Sequence, residues 1–309
     1  MQTSRDIYSK LLCEAHSEYI FYRSMSFILA QDPYFIPAHL EHIWEAEKRN
    51  DQFFANRLCQ EAHTRIKQIC VDVNVRSKVL ANWSTLEQEA ALELLDMISR
   101  RQYGLTRLAT IVQKKLIRDL DISKRTNTIS GRFLRLEHEC DAQPLKEELA
   151  SAGLHWWNFN TTRATNNPNH QHTHLIALRQ VPEPKAEYTP VDGVHESLPS
   201  PEHKRFPKIY DTVMEFAARK RLGLARVAIV KMQPFHQSYR HYDSEFYLVG
   251  RNRYHLVVDS GSINILSSGT DTIQAKPGDI WLFDNKVMHR ADNKSRKSRT
   301  HVIFDGYPL

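Results

Sequence analysis

Three side chains in the second half of the chain can hold a metal ion, and a fourth can grip an organic acid. His241 and Asp243 stand two residues apart, His289 follows 48 residues after His241, and Arg299 comes ten residues later still. In an extended chain positions i and i+2 point to the same side, so His241 and Asp243 can reach one ion together. Two imidazoles and one carboxylate on one face of an ion leave the opposite positions open. That donor set belongs to non-haem Fe(II) oxygenases. An arginine adds what a lysine cannot, a planar fork that binds a carboxylate through two charge-assisted bonds.

These residues need strands to aim them, and the surrounding pattern supplies strands. Arg299 and His301 alternate with Thr300, Val302 and Phe304, while Arg253 and His255 alternate with Tyr254, Leu256 and Val258. Two strands with an Arg-x-His face are what a barrel lined by a polar pocket would carry, although any half-exposed sheet permits the same alternation. Strands are expected at 132–136, 156–159, 174–178, 225–230, 253–258, 262–266, 280–283 and 300–304. Pro277-Gly278-Asp279 reads as the turn into the strand at 280–283, and a hairpin is expected to return His289 to the first two ligands. Many short strands at this spacing indicate a jelly roll. Helices are expected at about 142–152, ending at Gly153, and at about 208–220 through Ile209, Val213, Phe216 and Ala217. Six prolines between about 180 and 207 mark a long connection, disordered or acting as a lid.

The first part of the chain is different. From residue 6 to about 122 apolar positions recur at three and four, as in Ile7, Leu11, Ala15, Tyr19 and Tyr22. Asp32-Pro33 breaks the first helix, Ser84-Thr85-Leu86-Glu87 is a capping box, and Gly104 marks a further break. The segment Tyr19–Ala46 is similar to a tetratricopeptide-type hairpin, but no second copy follows at the expected spacing. The expected organisation is α+β: an all-α domain over 1–126 and a jelly-roll domain over 127–309. The helical part is expected either to pack as an extension or to serve protein binding or self-association. Its His16, His39, His42 and His63 are read as capped or surface residues.

With 41% hydrophobic and 25% charged residues, the 309-residue chain has the make-up of a globular protein. No apolar run is long enough to span a membrane. Four cysteines without a C-x-x-C pair, and an N-terminus without a secretory pattern, suggest a reduced, cytoplasmic protein. The net charge of +6 invites a nucleic-acid reading, but the basic residues come in short groups and no nucleic-acid motif accompanies them.

From about Gly131 to Asp305 the sequence resembles the aspartyl/asparaginyl β-hydroxylase family, including its bacterial free-proline hydroxylase relatives. The resemblance runs through Ala225–Val230, His241-Tyr242-Asp243, Asn252–Val258, Pro277–Asp284, His289 and Arg299–Asp305. It implies a double-stranded β-helix that uses Fe(II), 2-oxoglutarate and O2. His241, Asp243 and His289 match the family's iron ligands, and no catalytic residue is implied beyond them. Arg299 matches the residue that salt-bridges the distal carboxylate of 2-oxoglutarate, and Arg253 and His255 match positions that help hold this cosubstrate. Halogenating relatives of such oxygenases replace the carboxylate ligand, so Asp243 favours hydroxylation. The segment around His172 resembles a strand with substrate-facing residues, which makes Arg163 and His172 candidate substrate contacts. The implied substrate is an amino-acid side chain, free, in a peptide or carrier-bound.

Rivals exist within the chain. His170, His172 and His174 on one strand face could take zinc, but no further ligand accompanies them. His236 lacks the following carboxylate that His241 has, and Asp284 and Asn285 read as turn-forming residues. A different class of function is a non-catalytic jelly-roll binding protein acting through its helical domain, which would have no need for all four site residues.

Overall fold

The computed structural model describes residues 2–15, 17–80, 83–101, 132–137, 140–158, 162–180, 197–243 and 250–309. The chain divides into two compact units, Met1–Arg125 and Thr126–Leu309.

In the first unit the described helices are α1 (Ser4–Glu14), α2 (Glu18–Gln31), α3 (Ile36–Lys48), α4 (Gln52–Val71), α5 (Val73–Val79) and α6 (Thr85–Arg101). Their starts are sequence-encoded. Thr3 and Asp6 form a reciprocal capping box on α1, and Ser84 and Glu87 form the expected one on α6. Asp32 ends α2, and the joint to α3 closes with His39 Nε2 against the Pro33 carbonyl at 2.9 Å. Leu12, Phe21, Met25, Ile28, Ile43 and Trp44 fill the core. His39 and His63 are buried rather than at the surface, because each falls on the inward stripe of its helix. The expected break at Gly104 and the transition at 123–128 lie outside the described residues. Among the described residues no helix is long and apolar enough to cross a membrane.

The second unit is built on two antiparallel sheets. The larger runs, in spatial order, through β1 (Phe133–Glu137), β9 (Ile280–Phe283), β6 (Asn252–Asp259), β11 (Arg299–Pro308), β4 (Leu222–Met232), β2 (Thr173–Gln180) and β3 (Leu198–Pro199). The smaller runs through β5 (Gln237–His241), β10 (His289–Asn293), β7 (Asn264–Ser268) and β8 (Asp271–Gln274). Three helices accompany them: α7 (Gln143–Ala152), α8 (Thr162–Asn166) and α9 (Pro207–Lys220).

Alternation along each strand sorts side chains to two faces. Outward from the larger sheet, Ile229, Leu256, Val302 and Phe304 meet Leu145 of α7 and Ile209, Val213 and Phe216 of α9. Burying a side chain of this size contributes about 1.5–3 kcal/mol, so the helices are held mainly by this layer. Between the sheets, Phe133, Val257, Trp281 and Phe283 of the larger meet Leu266 and Ile273 of the smaller. Gly278 makes the turn into β9 at φ +89°, and a Cβ there would lie 2.3 Å from the Cys140 carbonyl oxygen. That close approach admits only glycine.

Four expectations need correction. Trp156 and Trp157 do not form a strand; Leu154–Asn158 is a 3-10 helix, which lets adjacent tryptophans face the same core where a strand would set them on opposite faces. Phe159 lies outside the described residues. No β9–β10 hairpin exists: β9 pairs with β1 and β6, β10 pairs with β5 and β7, and the chain changes sheets between them. Strands β5, β8 and β10 were not foreseen, because QSYRH, DTIQ and HRADN are short and polar and show little apolar alternation. The end of the proline-rich stretch is ordered, as β3 and a 3-10 helix at Pro201–Arg205; residues 181–196 lie outside the described ones.

Candidate metal and cosubstrate site

The change of sheet between β9 and β10 assembles the site. It places His289 directly opposite His241 in the β10–β5 register, with ring centroids 4.3 Å apart. Asp243 follows just beyond β5, its amide donating to the Asn285 carbonyl at 3.1 Å. His241 Nε2 lies 3.7 Å from Asp243 Oδ1, and His289 Nε2 lies 3.8 Å from Oδ2. Ligand atoms of the three residues all fall within 4.8 Å of one another, and no other such group of three occurs among the described residues. His170, His172 and His174 therefore form no zinc site.

Local backbone aims both imidazoles. His241 Nδ1 sits 2.6 Å from the Tyr239 carbonyl and His289 Nδ1 2.8 Å from that of Val287, each two residues back. A proton on Nδ1 satisfies those carbonyls and leaves the Nε2 lone pair for an ion. Both rings are buried, and burial lowers the His289 pKa despite the opposing pull of Asp243 and the Val287 carbonyl. At Asp243 burial works to raise the pKa, but Arg253 above all, then His289 and His241, hold the carboxyl far below its ordinary range. The carboxylate is thus ionised and the His289 imidazole neutral, the protonation that metal binding needs.

The larger sheet supplies the other wall of the cavity. Arg253, His255, Arg299, His301 and Ile303 line it, as the alternation along β6 and β11 requires. Arg299 is buried against His301, with Nε and Nη2 each 3.1 Å from a ring nitrogen, while Nη1 has no hydrogen-bond partner among the described residues. Burial pushes the Arg299 pKa down to about 9, with Asp292 opposing. His255 Nδ1 lies 3.3 Å from His301 Nδ1, and its buried Nε2 also has no partner. Burial first, then Arg299, lowers both histidine pKa values well below the usual range, so both are neutral. Desolvated donors without partners are costly unless something fills the space beside them. A ferrous ion on the imidazole side and an anionic cosubstrate on the arginine side both fit what is present.

Arg253 departs from expectation. Its Nη1 donates to Asp243 Oδ2 at 2.6 Å, while Nε and Nη2 fork onto Asp305 at 2.8 and 3.1 Å. His172 does not line the cavity. Strand β2 begins only at Thr173, so His170 and His172 lie in a 3-10 turn and do not share a strand face. His172 stacks on His236 at 4.2 Å, and burial together with His236 pushes its pKa down to about 4. His170 lines the cavity instead, its ring 4.8 Å from that of His241. The Arg163 side chain lies outside the described ones. His170, Asn285 and Asp305 were missed as site residues; only the Asp284-Asn285 turn beside His289 left any trace in the sequence.

A jelly roll that gathers two imidazoles, a carboxylate and a buried arginine around one cavity fits the class of 2-oxoglutarate-dependent dioxygenases, and the three ligand side chains could hold a metal ion. The profile of the family described as aspartyl/asparaginyl beta-hydroxylase matches residues 149–308, just over half of the chain. The chain belongs to that family. Among solved structures it is similar to a viral collagen prolyl hydroxylase from Paramecium Bursaria Chlorella virus-1 in its 2OG complex. There the identity is 10%, the alignment covers 58% of this chain and 97% of that one, and the TM-score is 0.36. It is also similar to EctD from S. alaskensis, with 2-oxoglutarate and 5-hydroxyectoine, at 13% identity over 57% and 72% of the two chains and a TM-score of 0.35. A 2OG-Fe(II) oxygenase family oxidoreductase from Burkholderia pseudomallei gives 10% identity, 55% and 91% coverage, and a TM-score of 0.31. No curated protein sequence matches the chain.

Proposed function

We propose that this dioxygenase hydroxylates an amino-acid side chain, free or within a peptide or carrier-bound substrate. In this reading His241, Asp243 and His289 hold Fe(II), and Arg299 grips the distal carboxylate of 2-oxoglutarate. The observation that carries it is the pairing of a compact His-Asp-His group with a buried arginine nitrogen that lacks a partner in the same cavity. Fe(II), 2-oxoglutarate and O2 together supply the oxidising power for C–H hydroxylation, with succinate and CO2 as the other products. The chain's own task is positioning and exclusion of water. His255 presents Nε2 to the cosubstrate as a neutral donor or acceptor beside Arg299. Phe283 covers one side, its ring 5.0 Å from His289 and 5.1 Å from His255. His170, Thr173 and Ser238 offer polar contacts to a substrate from the β2 and β5 side of the cavity.

Succinate formation from 2-oxoglutarate, measured with added Fe(II) across a panel of amino acids and peptides, tests the proposal. A stimulating amino acid or peptide is expected, with turnover lost in His241→Ala and Asp243→Ala. Equal turnover in those variants would remove the metal assignment, and stimulation only by compounds without an amino-acid side chain would remove the substrate class.

A further inference from the structure

Asp243 uses its two oxygens differently. Oδ2, 3.8 Å from His289 Nε2, accepts from Arg253 Nη1 at 2.6 Å and from Asn285 Nδ2 at 2.8 Å, whereas Oδ1, 3.7 Å from His241 Nε2, takes neither bond. Arg253 is itself held: it stands directly opposite Asp305 in the β6–β11 register, and Asp305 takes its Nε and Nη2 as a two-bond fork. Asp305 is only 2% exposed, so its charge depends on that guanidinium. Were Arg253 to turn toward a cosubstrate, two buried carboxylates would lose their shared cation at once. A guanidinium forked onto one carboxylate presents its remaining nitrogen in a fixed direction, which a flexible ammonium does not.

Resting on the iron-site reading above, the geometry points to Arg253, braced by Asp305, as a positioning residue of the metal centre rather than an anchor for 2-oxoglutarate. It fixes Oδ2 of Asp243 and leaves Oδ1, on the His241 side, as the oxygen that neither the guanidinium nor the Asn285 amide occupies. Asn285 supports the same oxygen from the β9–β10 connection, so the carboxylate is held from both sheets. The cosubstrate side is left to Arg299 and His255, whose partnerless nitrogens face the same cavity.

The test is anaerobic titration of the metal-free full chain with Co(II), as a spectroscopic probe of the Fe(II) site, without 2-oxoglutarate. Asp305→Asn and Arg253→Lys are each expected to weaken Co(II) binding roughly 10- to 100-fold, as loss of a group that orients a ligand does. At saturating metal the 2-oxoglutarate affinity of both variants is expected to match wild type. The double variant should lose little beyond either single one, because both act through one connected chain. Wild-type Co(II) affinity in both variants, or a loss confined to 2-oxoglutarate, overturns the inference. Should near-UV circular dichroism show that Asp305→Asn does not fold, Arg253→Lys decides alone. His241→Ala separates the two levels of the argument. If it loses Co(II) while Asp305→Asn and Arg253→Lys do not, the metal site stands and only the positioning role falls. If wild type does not bind Co(II), both fall.

Discussion

The two walls of the cavity hold their functional groups by different means. On the smaller sheet His241 and His289 are each aimed by a carbonyl two residues back in the chain. On the larger sheet Arg299 is also held locally, by His301 two residues on, but Arg253 and His255 are aimed by side chains distant in sequence: Asp305 across a strand pair, and His301, which itself bonds Asn264 of the smaller sheet at 3.0 Å. One wall is therefore organised locally and the other in large part by contacts that exist only after folding. A local hydrogen bond survives small shifts of the fold, so the aim of the two imidazoles should tolerate changes that disturb the larger-sheet wall.

The sharpest separation of the two walls comes from Arg299→Ala. Truncating a buried charge that pairs with a ligand costs about 2–5 kcal/mol, so the 2-oxoglutarate requirement should rise roughly 30- to 5,000-fold. Co(II) affinity should not change, and a parallel loss of both would break the division into walls. Kinetics at varied 2-oxoglutarate, beside a metal titration, measure this.

Acid should also act on the larger-sheet wall. His255 and His301 are held neutral, with pKa values lowered by burial, so the unfolded chain binds their protons more readily than the folded one. Their contribution is fully present above about pH 6.5 and is lost as pH falls below it, by up to about 1.4 kcal/mol per pH unit for each group. The buried His39 and His63 and the half-buried His42 of the helical unit, also lowered by desolvation, add to the same slope. Thermal unfolding between pH 7.5 and 5 should show melting temperature dropping on acidification. His255→Leu should flatten the slope by about one proton, and an unchanged slope would show that His255 is not held neutral.

The smallest effect is expected outside the cavity. Tyr8 donates to the buried carboxylate of Glu41 at 2.7 Å, and Tyr8→Phe should cost about 1–3 kcal/mol of stability in the helical unit. Succinate formation by folded protein should be unaltered. A change in turnover would mean that the helical unit takes part in the reaction.

Of the site, His241, Asp243, His289 and Arg299 were legible because residue type and spacing carry the chemistry directly. The strands at 280–283 and 253–258 were equally legible, since their apolar residues alternate or run unbroken. What escaped is instructive. Strand β10 reads HRADN and is polar, yet two neighbouring strands pair with it on either side. Nothing near Arg253 in sequence announces its partner Asp305, 52 positions later. His170 was taken for part of a strand that begins three residues later, which hid its approach to His241.

By itself the sequence determined the helical first unit, the jelly-roll pattern of the second, and which side chains were chemically able to bind iron and an acid. Periodicity and residue chemistry are local properties, and the order of the chain preserves them. Only the tertiary structure decided that β9 and β10 belong to different sheets, that His241 stands opposite His289, and that Arg253 serves two carboxylates. Those facts depend on register between strands distant in sequence, which is set by how the two sheets close on a shared core and not by any one segment.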